Sequence, residues 1–421
     1  MSRLQDKLDA PLAGRIARGT PAYRRMSLAL LMAGFSTFAL LYDVQPLLPQ
    51  FVQGFGVGAA ASSLAVSLTT GAMALAFLPA GVLSDRIGRR PVMIASMFAA
   101  PALTLLSAFL PGWPALLVMR ALIGLALAGV PSVAMAYVSE EVDGPSVGSA
   151  MGLYIAGSAV GGMVGRIGVT LAAEALGWRE ALALVGAAGL IAALAFWRFA
   201  PEPQAFTPAR HDLGSLVAAT RRLLGDRALP LLYVEGFLLM GAFVTIYNYV
   251  TFRLEGAPYH LSQAAVGAVF LLYILGSISS AWFGGFAGRV GRHKVFWLPI
   301  VGVAVGVALT SVTPLPLIIL GIAIITAAFF AAHSTASGWV GQRATRDRAQ
   351  AAALYLLFYY LGSSVMGSVG GLAWSHGGWP SVATFTLALV LLALAISMRL
   401  ARVGPLQDTS VMPDTAPIPS R

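Results

Sequence analysis

The segment GVLSDRIGRRPVM (residues 81–93) places four charged side chains, a glycine-containing turn and a proline between two long apolar stretches. The whole chain is 58% hydrophobic and 10% charged over 421 residues, whereas soluble domains carry about 25% charged residues. Most of the chain must therefore face lipid or other apolar helices. The charged segment is then a loop between two membrane spans.

Twelve stretches are apolar and long enough, at about 20 residues each, for a helix to cross the hydrocarbon core. They cover approximately residues 26–48, 62–84, 91–110, 114–138, 147–173, 179–200, 229–252, 263–287, 295–313, 315–340, 350–374 and 379–398. The sequence predicts an all-α integral membrane protein with twelve transmembrane helices, numbered here as spans one to twelve.

Polar segments divide these spans into two sets of six. The predicted order is an N-terminal tail (1–25), a six-helix bundle (26–200), a linker (201–228), a second six-helix bundle (229–400) and a C-terminal tail (401–421). The linker carries several prolines and charges. The C-terminal tail is polar with four prolines, and we expect it to be disordered.

The formal net charge of +10 comes from basic residues in the N-terminal tail, the linker and a few short loops. The only Arg or Lys residues in the loops predicted to lie outside the cell are Arg179 and Arg253. This asymmetry predicts that both termini are cytoplasmic, and it is not the pattern of a nucleic-acid-binding face. Abundant Ala, Gly and Arg with little Lys is typical of a bacterial protein, so we expect a multi-pass protein of the bacterial inner membrane.

The opening loop has a counterpart in the second half of the chain. GGFAGRVGRH (residues 284–293) begins 203 positions after GVLSDRIGRR, and LYLLFYYLGS (354–363) begins 201 positions after LYIAGSAVGG (153–162). The matched positions in the loops are Gly88 with Gly291, Arg89 with Arg292, and Asp85 with Gly288. Two nearly equal offsets indicate two pseudo-symmetric bundles that arose by duplication.

The loop resembles the signature loop of the major facilitator superfamily, G-x-L-x-D-x-x-G-R-R, and Gly81, Leu83, Asp85, Gly88, Arg89 and Arg90 all fit it. Arg120 followed by Gly124 is similar to the family's fourth-span pattern. GSAVGGMVGR (157–166) is similar to the family's antiporter motif, with Gly162 in place of a proline and Arg166 in place of a glycine. The resemblance implies the major facilitator fold and secondary active transport by alternating access, nearest to the drug/proton antiporter branch.

The loop's chemistry favours a latch that closes the cytoplasmic side. Asp85 could cap a neighbouring helix N-terminus, and Arg89 or Arg90 could pair with Glu140, Glu141 or Asp143 of the next cytoplasmic loop. The resemblance implies that span eleven supplies the helix end that Asp85 contacts. The predicted latch residues are Gly81, Asp85, Gly88, Arg89, Arg90, Glu140, Gly291 and Arg292. The alternative is a set of solvated charges that only fixes topology.

Five Asp, Glu, Arg or His residues lie in the cores of predicted spans, away from the span ends: Asp43, Arg120, Arg166, Glu235 and His333. Charged groups in a membrane span are costly and usually face a cavity, which makes these residues functional candidates. They fall on spans one, four, five, seven and ten. The resemblance implies that spans three, six, nine and twelve lie outside the cavity, and those spans carry no charge in their cores.

Asp43, Arg120 and Arg166 have similar predicted depths, so we expect a cluster in the outer part of the first bundle. Arginine stays protonated in proteins, so only Asp43 could exchange a proton there. Two interpretations of Asp43 remain open, proton coupling or structural neutralisation of Arg120. Arg120 and Arg166 could also bind an anionic substrate group, since arginine suits carboxylates and phosphates.

Glu235 and His333 have similar predicted depths in the second bundle, where they could form a proton-relay step. A histidine hydrogen-bonded to Ser334 or to backbone is the alternative. Tyr247, Asn248, Tyr355 and Tyr359 are candidate pocket-lining residues, and packing explains them equally well.

Transport explains the repeat, the charges within spans and the loop together. The sequence has no phosphate-binding loop, no H-E-x-x-H and no serine-nucleophile motif, which argues against a membrane enzyme. We expect no cofactor and no metal, a small-molecule substrate, protons and the bilayer as partners, and a functional monomer. Proton-coupled efflux is the preferred function. Proton-coupled uptake of a small organic anion is the alternative, and sodium coupling stays open.

Overall fold

The computed structural model describes residues 15–204, 206–208 and 213–403, and it consists of α-helices joined by short connections. The first half contains helices Pro21–Leu41, Leu48–Phe55, Ala59–Ser62, Leu64–Ile87, Arg89–Ser107, Trp113–Leu127, Ala134–Glu141, Gly144–Leu176 and Trp178–Phe199. The linker contains helix Leu213–Leu224. The second half contains helices Leu229–Glu255, Gln263–Gly267, Tyr273–Val290, Arg292–Val295, Trp297–Thr310, Leu315–Arg343 and Arg348–Leu400. A 3-10 turn lies in each half, at Gln45–Leu47 in the first and at Ala268–Leu272 in the second. The C-terminal tail predicted to be disordered lies almost wholly outside the described residues.

The helices account for all twelve predicted spans. Within the described ranges, 10 helical segments are long and apolar enough to cross a membrane. One of them, Arg348–Leu400, holds spans eleven and twelve, because Gly377 and Gly378 leave the helical conformation between them. Span four is the pair Trp113–Leu127 and Ala134–Glu141. The predicted fold class is confirmed.

Span one is longer than the sequence indicated and is broken. Its first helix ends at Leu41, and a second helix follows from Leu48 to Phe55. Pro46 and Pro49 lie at the first positions of the turn and of the second helix, where a missing N–H costs nothing. The predicted end at residue 48 was therefore wrong. Asp43 lies in the break, deeper within the span than expected.

Span four is also interrupted. The sequence predicts one helix over 114–138, but between Leu127 and Ala134 the regular helix gives way to turns with mixed hydrogen bonds, such as that from the Val130 N–H to the Leu127 carbonyl. Pro131 lies inside this interruption, and a proline in a helix removes one hydrogen bond and clashes with the preceding turn. The break lets Ser96 of span three donate to the Ala126 carbonyl at 2.6 Å.

Glycines allow the same close helix pair to form in each half. A Cβ added to Gly161 of span five would overlap the carbonyl oxygen of Phe35 in span one. A Cβ added to Gly362 of span eleven would overlap the carbonyl oxygen of Phe237 in span seven. These contacts lie about one repeat apart, which supports the duplication. Small residues at such crossings let membrane helices approach closely.

The two halves meet directly at one end of the bundle. Hydrogen bonds that join them there include Gln45 to Asn248 (2.8 Å), Gln50 to Gln263 (2.5 Å) and Ser364 to the Ser67 carbonyl (2.7 Å). We call this end the closed face. The opposite end, which carries Arg89, Arg292 and Arg343, is called the arginine face.

Toward the arginine face the direct contacts between the halves give way to separate networks. The rings of Phe77 and Tyr360 meet near the middle of the bundle, with centroids 5.5 Å apart. Beyond them, the hydrogen bonds among the described residues stay within one half or run to the linker. The molecule is therefore closed at one face and separated into its halves at the other.

Candidate functional site

Asp43 and Arg120 form a fully buried ion pair in the first bundle. Arg120 Nη1 lies 2.8 Å from Asp43 Oδ1, and both side chains have 0% exposure. Arg120 also donates to the backbone carbonyls of Ala65 (3.1 Å) and Leu41 (3.3 Å), while Asp43 Oδ1 accepts from the Val44 N–H at 2.8 Å. The pair thus connects spans one, two and four. Its guanidinium is committed to internal partners rather than turned toward a ligand.

Arg166 lies close to this pair, bonded to a residue two positions from Asp43, but it makes no ion pair with Asp43 among the described residues. Its Nε donates to Gln45 Oε1 at 2.8 Å and its Nη1 donates to the Gly162 carbonyl at 2.5 Å. The break in span one is the cause, because it turns Asp43 toward Arg120 and places Gln45 beside Arg166. Gln45 carries no charge, so the search for charges within spans could not find it.

Aromatic rings surround the Arg166 guanidinium. Its Cζ lies 4.4 Å from the ring centre of Tyr42, 4.9 Å from that of Tyr273 and 5.4 Å from that of Phe270. Such contacts stabilise a buried cation through the ring faces. Tyr42 belongs to the first half and the other two rings to the second. Arg166 therefore lies at the boundary between the halves.

Asn248 and Tyr247 belong to the same boundary region, and both are fully buried. Asn248 Oδ1 accepts the hydrogen bond from Gln45, and its Nδ2 has no partner among the described residues. The Tyr247 hydroxyl is 2.7 Å from Thr326 Oγ1. Of the two, Asn248 takes part in closing the halves, whereas Tyr247 is bonded within the second half.

Glu235 is fully buried in span seven, and neither carboxylate oxygen has a hydrogen-bond partner within the described ranges. Tyr355 of span eleven packs beside it: a Cβ on the adjacent Gly236 would lie 2.9 Å from Tyr355 Cε2. The Tyr355 hydroxyl is 2.9 Å from His333 Nδ1. Tyr355 thus bonds to His333 and packs against Gly236, the residue next to Glu235, and His333 bonds to Tyr355 rather than to Ser334.

A run of aromatic rings connects the Arg166 region to His333. Phe243 lies 4.8 Å from Tyr247 and 4.0 Å from Phe329, measured between ring centroids. Phe329 stacks on His333 at 6.1 Å, and Tyr359 lies 4.6 Å from His333. The second half thus presents a continuous aromatic wall from the closed face toward Glu235. Of the candidate lining residues, Tyr355 and Tyr359 belong to its far end.

The loop between spans two and three forms an ion-pair network at the arginine face. Arg89 bonds to Asp85, and its Nη2 lies 2.8 Å from Glu140 Oε1. Arg90 pairs with Glu202 of the linker at 3.0 Å. Gly88 has φ +108°, a conformation that L side chains rarely adopt, which explains the glycine in the turn. Nothing lies within 4 Å of a Cβ placed on Gly81.

The expectation that Asp85 contacts the start of span eleven is not met in this structure. Among the described residues Asp85 bonds to Arg89, and Gln350 at the start of span eleven donates to Leu216 and Thr220 of the linker helix. The two halves are separated at this face, so the end of span two and the start of span eleven do not meet.

The corresponding loop of the second half has the same turn but different partners. Gly291 has φ +106°, nearly the same as the +108° of its counterpart Gly88. The Arg292 guanidinium packs against Gly338 of span ten, where a Cβ would lie 3.1 Å from Nη2. No carboxylate of the described chain pairs with Arg292, and no cluster of metal-ligating side chains is found in those ranges.

The sequence profile of the Major Facilitator Superfamily matches residues 26–286. The MFS-type transporter YybF of Bacillus subtilis (strain 168) is 44% identical over 393 residues, which cover 93% of this chain and 97% of that protein. Inner membrane transport protein YnfM of Escherichia coli (strain K12) is 45% identical over 387 residues, covering 92% and 93%. The multi-drug resistance efflux pump PmrA of Streptococcus pneumoniae is 29% identical over 245 residues, covering 57% and 56%.

Solved transporters share the fold at low identity. A bacterial homologue of the human lysosomal transporter Spinster superposes with a TM-score of 0.74 at 15% identity, covering 91% of this chain and 98% of that one. The nucleoside transporter NupG gives 0.72 at 16% identity, covering 89% and 99%. The fold, the duplicated loop and the similarity along nearly the whole sequence agree, and the chain belongs to the major facilitator superfamily of membrane transporters.

Proposed function

We propose that this chain is a proton-coupled exporter of small amphipathic molecules and that Glu235 is the residue that carries the coupled proton. The carrying observation is the Glu235 side chain, which is fully buried with both oxygens lacking a partner among the described residues. Burying a neutral polar group without a hydrogen bond costs about 2–7 kcal/mol, and burying an unpaired ionised carboxylate costs more. Burial of Glu235 therefore favours its protonated form. Release of the proton then requires access to water.

Alternating access supplies that change of environment. The halves are joined at the closed face and separated at the arginine face, which the distribution of basic residues assigns to the cytoplasm. In this orientation both termini are cytoplasmic and the protein opens toward the inside of the cell. Rocking of the halves about the midplane would expose the same residues to the other side.

Tyr355 and His333 provide a route for the proton. The Tyr355 hydroxyl bonds to His333 Nδ1 at 2.9 Å and packs beside the Glu235 segment. A hydroxyl can donate and accept at once, and a neutral imidazole has one donor and one acceptor nitrogen. In this conformation neither Glu235 oxygen bonds to the pair, so the proposed transfer requires Glu235 to reach the Tyr355 hydroxyl when the halves move; the pair can then pass the proton on without either residue staying charged.

The aromatic wall suggests the class of substrate. Rings from Phe243, Phe329 and Tyr359 form an apolar layer with few polar groups, in which Phe243 and Phe329 are buried against each other in this conformation; if movement of the halves opens this layer, it suits an amphipathic ligand with a ring system. Similarity to a multi-drug resistance efflux pump supports the outward direction.

Uptake of a small organic anion with protons is a second candidate, and Arg166 favours it. Its guanidinium lies at the boundary of the halves, and its Nη2 makes no hydrogen bond to the described residues. A carboxylate could bind this free edge. The two candidates differ in the direction of substrate movement when the same proton gradient is imposed.

The test is proton-driven transport in inside-out vesicles with a panel of amphipathic and anionic solutes. Export predicts that an active solute enters the vesicles and dissipates an acid-inside pH gradient in the wild type, and that Glu235→Gln abolishes both. Glu255→Gln is the matched control, because it makes the same change at the far end of the same helix. Gradient dissipation that persists in Glu235→Gln would remove the proposed coupling site. Solute movement only in right-side-out vesicles would favour uptake.

A further inference from the structure

A cavity of about 370 Å³ opens on the arginine face of the second half, outside the site described above. Arg292, His293, Trp339, Gln342 and Arg343 line it. Nothing lies within 4 Å of a Cβ placed on Gly288, which also borders the cavity, so the approach on that side is open. Ligand pockets typically start at about 300 Å³, so the space suits a small ligand or a lipid headgroup.

The repeat shows what is unusual about this cavity. In the first half Arg89 lies between two carboxylates, Asp85 and Glu140. The positions 203 residues later are Arg292, Gly288 and Arg343. One acid has thus become a glycine and the other an arginine, while the central arginine is retained. The same backbone arrangement has changed from a neutralised network to a positive one.

Arg292 is the uncompensated charge in this arrangement. Arg343 pairs with Asp226 at 3.0 Å, whereas Arg292 has no carboxylate partner in the described part of the chain. The Arg292 guanidinium packs against Gly338, where a Cβ would lie 3.1 Å from Nη2, so the glycine leaves room for the guanidinium in this position. A preorganised guanidinium with unused donors at an open cavity is a binding feature for a planar or tetrahedral oxyanion.

We propose that this cavity binds a phosphate-bearing anion, with Arg292 as the principal contact and His293 and Gln342 as additional polar contacts. The ligand chemistry is a phosphate monoester or diester. It could come from the headgroup of an anionic phospholipid, since the cavity lies at the end of spans eight to ten, or from a free phosphate compound in solution. Basic pockets between membrane helices on the cytoplasmic side commonly hold anionic headgroups. The site is independent of the proposed transport function.

The experiment measures the thermal unfolding of purified protein in neutral detergent while a phosphate ligand is titrated. One arm adds phosphatidylglycerol, a second adds phosphatidylcholine and a third adds inorganic phosphate. A ligand that binds the folded state raises the unfolding temperature with concentration, which gives an apparent Kd. Arg292→Gln should weaken the apparent Kd about tenfold or more, the loss expected for a charge-assisted contact.

Two further variants make the result specific. Gly288→Asp keeps Arg292 but places a carboxylate four positions before it, as Asp85 stands before Arg89, and it should abolish binding by neutralising the guanidinium. This variant carries the test if Arg292→Gln does not fold. Arg289→Gln removes an exposed neighbouring charge that does not line the cavity, and it should bind like the wild type.

Binding of phosphatidylglycerol that is lost in Arg292→Gln and Gly288→Asp but retained in Arg289→Gln supports the proposal with a lipid as the source. The same pattern with inorganic phosphate supports it with a free anion as the source. If all four proteins respond alike to every ligand, or none responds, the cavity is not an anion site and the proposal is overturned.

Discussion

Asp43 and Glu235 are both carboxylates with no exposed surface, one in each half of the molecule, yet their surroundings differ. Asp43 lies in a break of span one, 2.8 Å from the Arg120 guanidinium, and accepts a backbone hydrogen bond as well. Glu235 lies in an unbroken helix and has no hydrogen-bond partner within the described ranges. Two buried carboxylates therefore lie in opposite environments, one bonded to a buried arginine and the other with no such partner in the described part of the chain.

The difference separates a structural role from a transport role. A carboxylate held against a buried arginine keeps its charge, because losing it would leave the arginine uncompensated. A carboxylate without a partner can gain and lose a proton at lower cost to its neighbours. We therefore assign Asp43 to the stability of the first half and Glu235 to proton exchange in the second. Three substitutions test this contrast, from the largest expected effect to the smallest.

Asp43→Asn should destabilise the protein by about 3–5 kcal/mol, the usual cost of removing one partner of a buried ion pair. Thermal unfolding in detergent and the yield of folded protein measure the effect. Glu235→Gln is the comparison and should be as stable as the wild type, because it removes no partner.

The double variant Asp43→Asn with Arg120→Gln should recover part of the loss, since the charge left behind is then also gone. A stable Asp43→Asn protein that has lost proton-coupled transport would return the coupling role to Asp43 and contradict the contrast.

Tyr355→Phe should lower the rate of proton-coupled transport about 100-fold, the lower end of what a positioned proton donor or acceptor contributes. The hydroxyl that bonds to His333 at 2.9 Å is lost while the ring beside Gly236 is kept. Substrate affinity and stability should change little. The readout is the transport rate against the imposed pH gradient.

Tyr359→Phe is the control for this substitution, since its ring contacts His333 without a hydrogen bond to it among the described residues. Equal losses of transport in the two variants would show that both hydroxyl groups only stabilise the aromatic wall. The Tyr355 hydroxyl would then have no specific role in moving the proton.

Arg166→Lys should weaken substrate binding about tenfold without affecting proton coupling at Glu235, because an ammonium cannot reproduce the planar contacts of a guanidinium among rings. Arg166 bonds to Gln45 and lies between Tyr42 and Tyr273. Equilibrium binding of a transported solute gives the change.

A loss confined to anionic solutes would favour uptake of anions as the function. Unchanged binding of all solutes would place Arg166 with Arg120 among the structural residues.

The sequence predicted the number of spans, their division into two bundles and the paired loops, because hydropathy and repeats are properties of the chain itself. It placed Asp43 near the end of span one, since nothing in the local pattern indicated that the apolar run resumes as a helix to Phe55. Which of two arginines pairs with Asp43 depends on the geometry of that break. A long-range contact of this kind is absent from a local pattern.

The roles of the candidate residues depend on partners that the sequence could not identify. Gln45 joins Arg166 to Asn248, but a neutral amide in an apolar span carries no charge to attract notice. The sequence grouped Tyr355 with the pocket-lining residues, whereas the structure bonds its hydroxyl to His333 and packs its ring against Gly236, next to Glu235. Whether Glu235 has a hydrogen-bond partner depends on the side chains of every neighbouring helix, so it becomes visible only in the folded bundle.

The most direct test is infrared difference spectroscopy of the purified protein across a pH titration, which detects the C=O stretch of protonated carboxyl groups. The wild type should show a protonated carboxyl that deprotonates as the pH rises. Burial also raises the pKa of Glu255, at the end of the same helix, to about 7, so all proteins in this test carry Glu255→Gln. In that background the signal should vanish in Glu235→Gln and persist in Asp43→Asn. A titrating signal that persists in Glu235→Gln and vanishes in Asp43→Asn would contradict the assignment of the transported proton to Glu235.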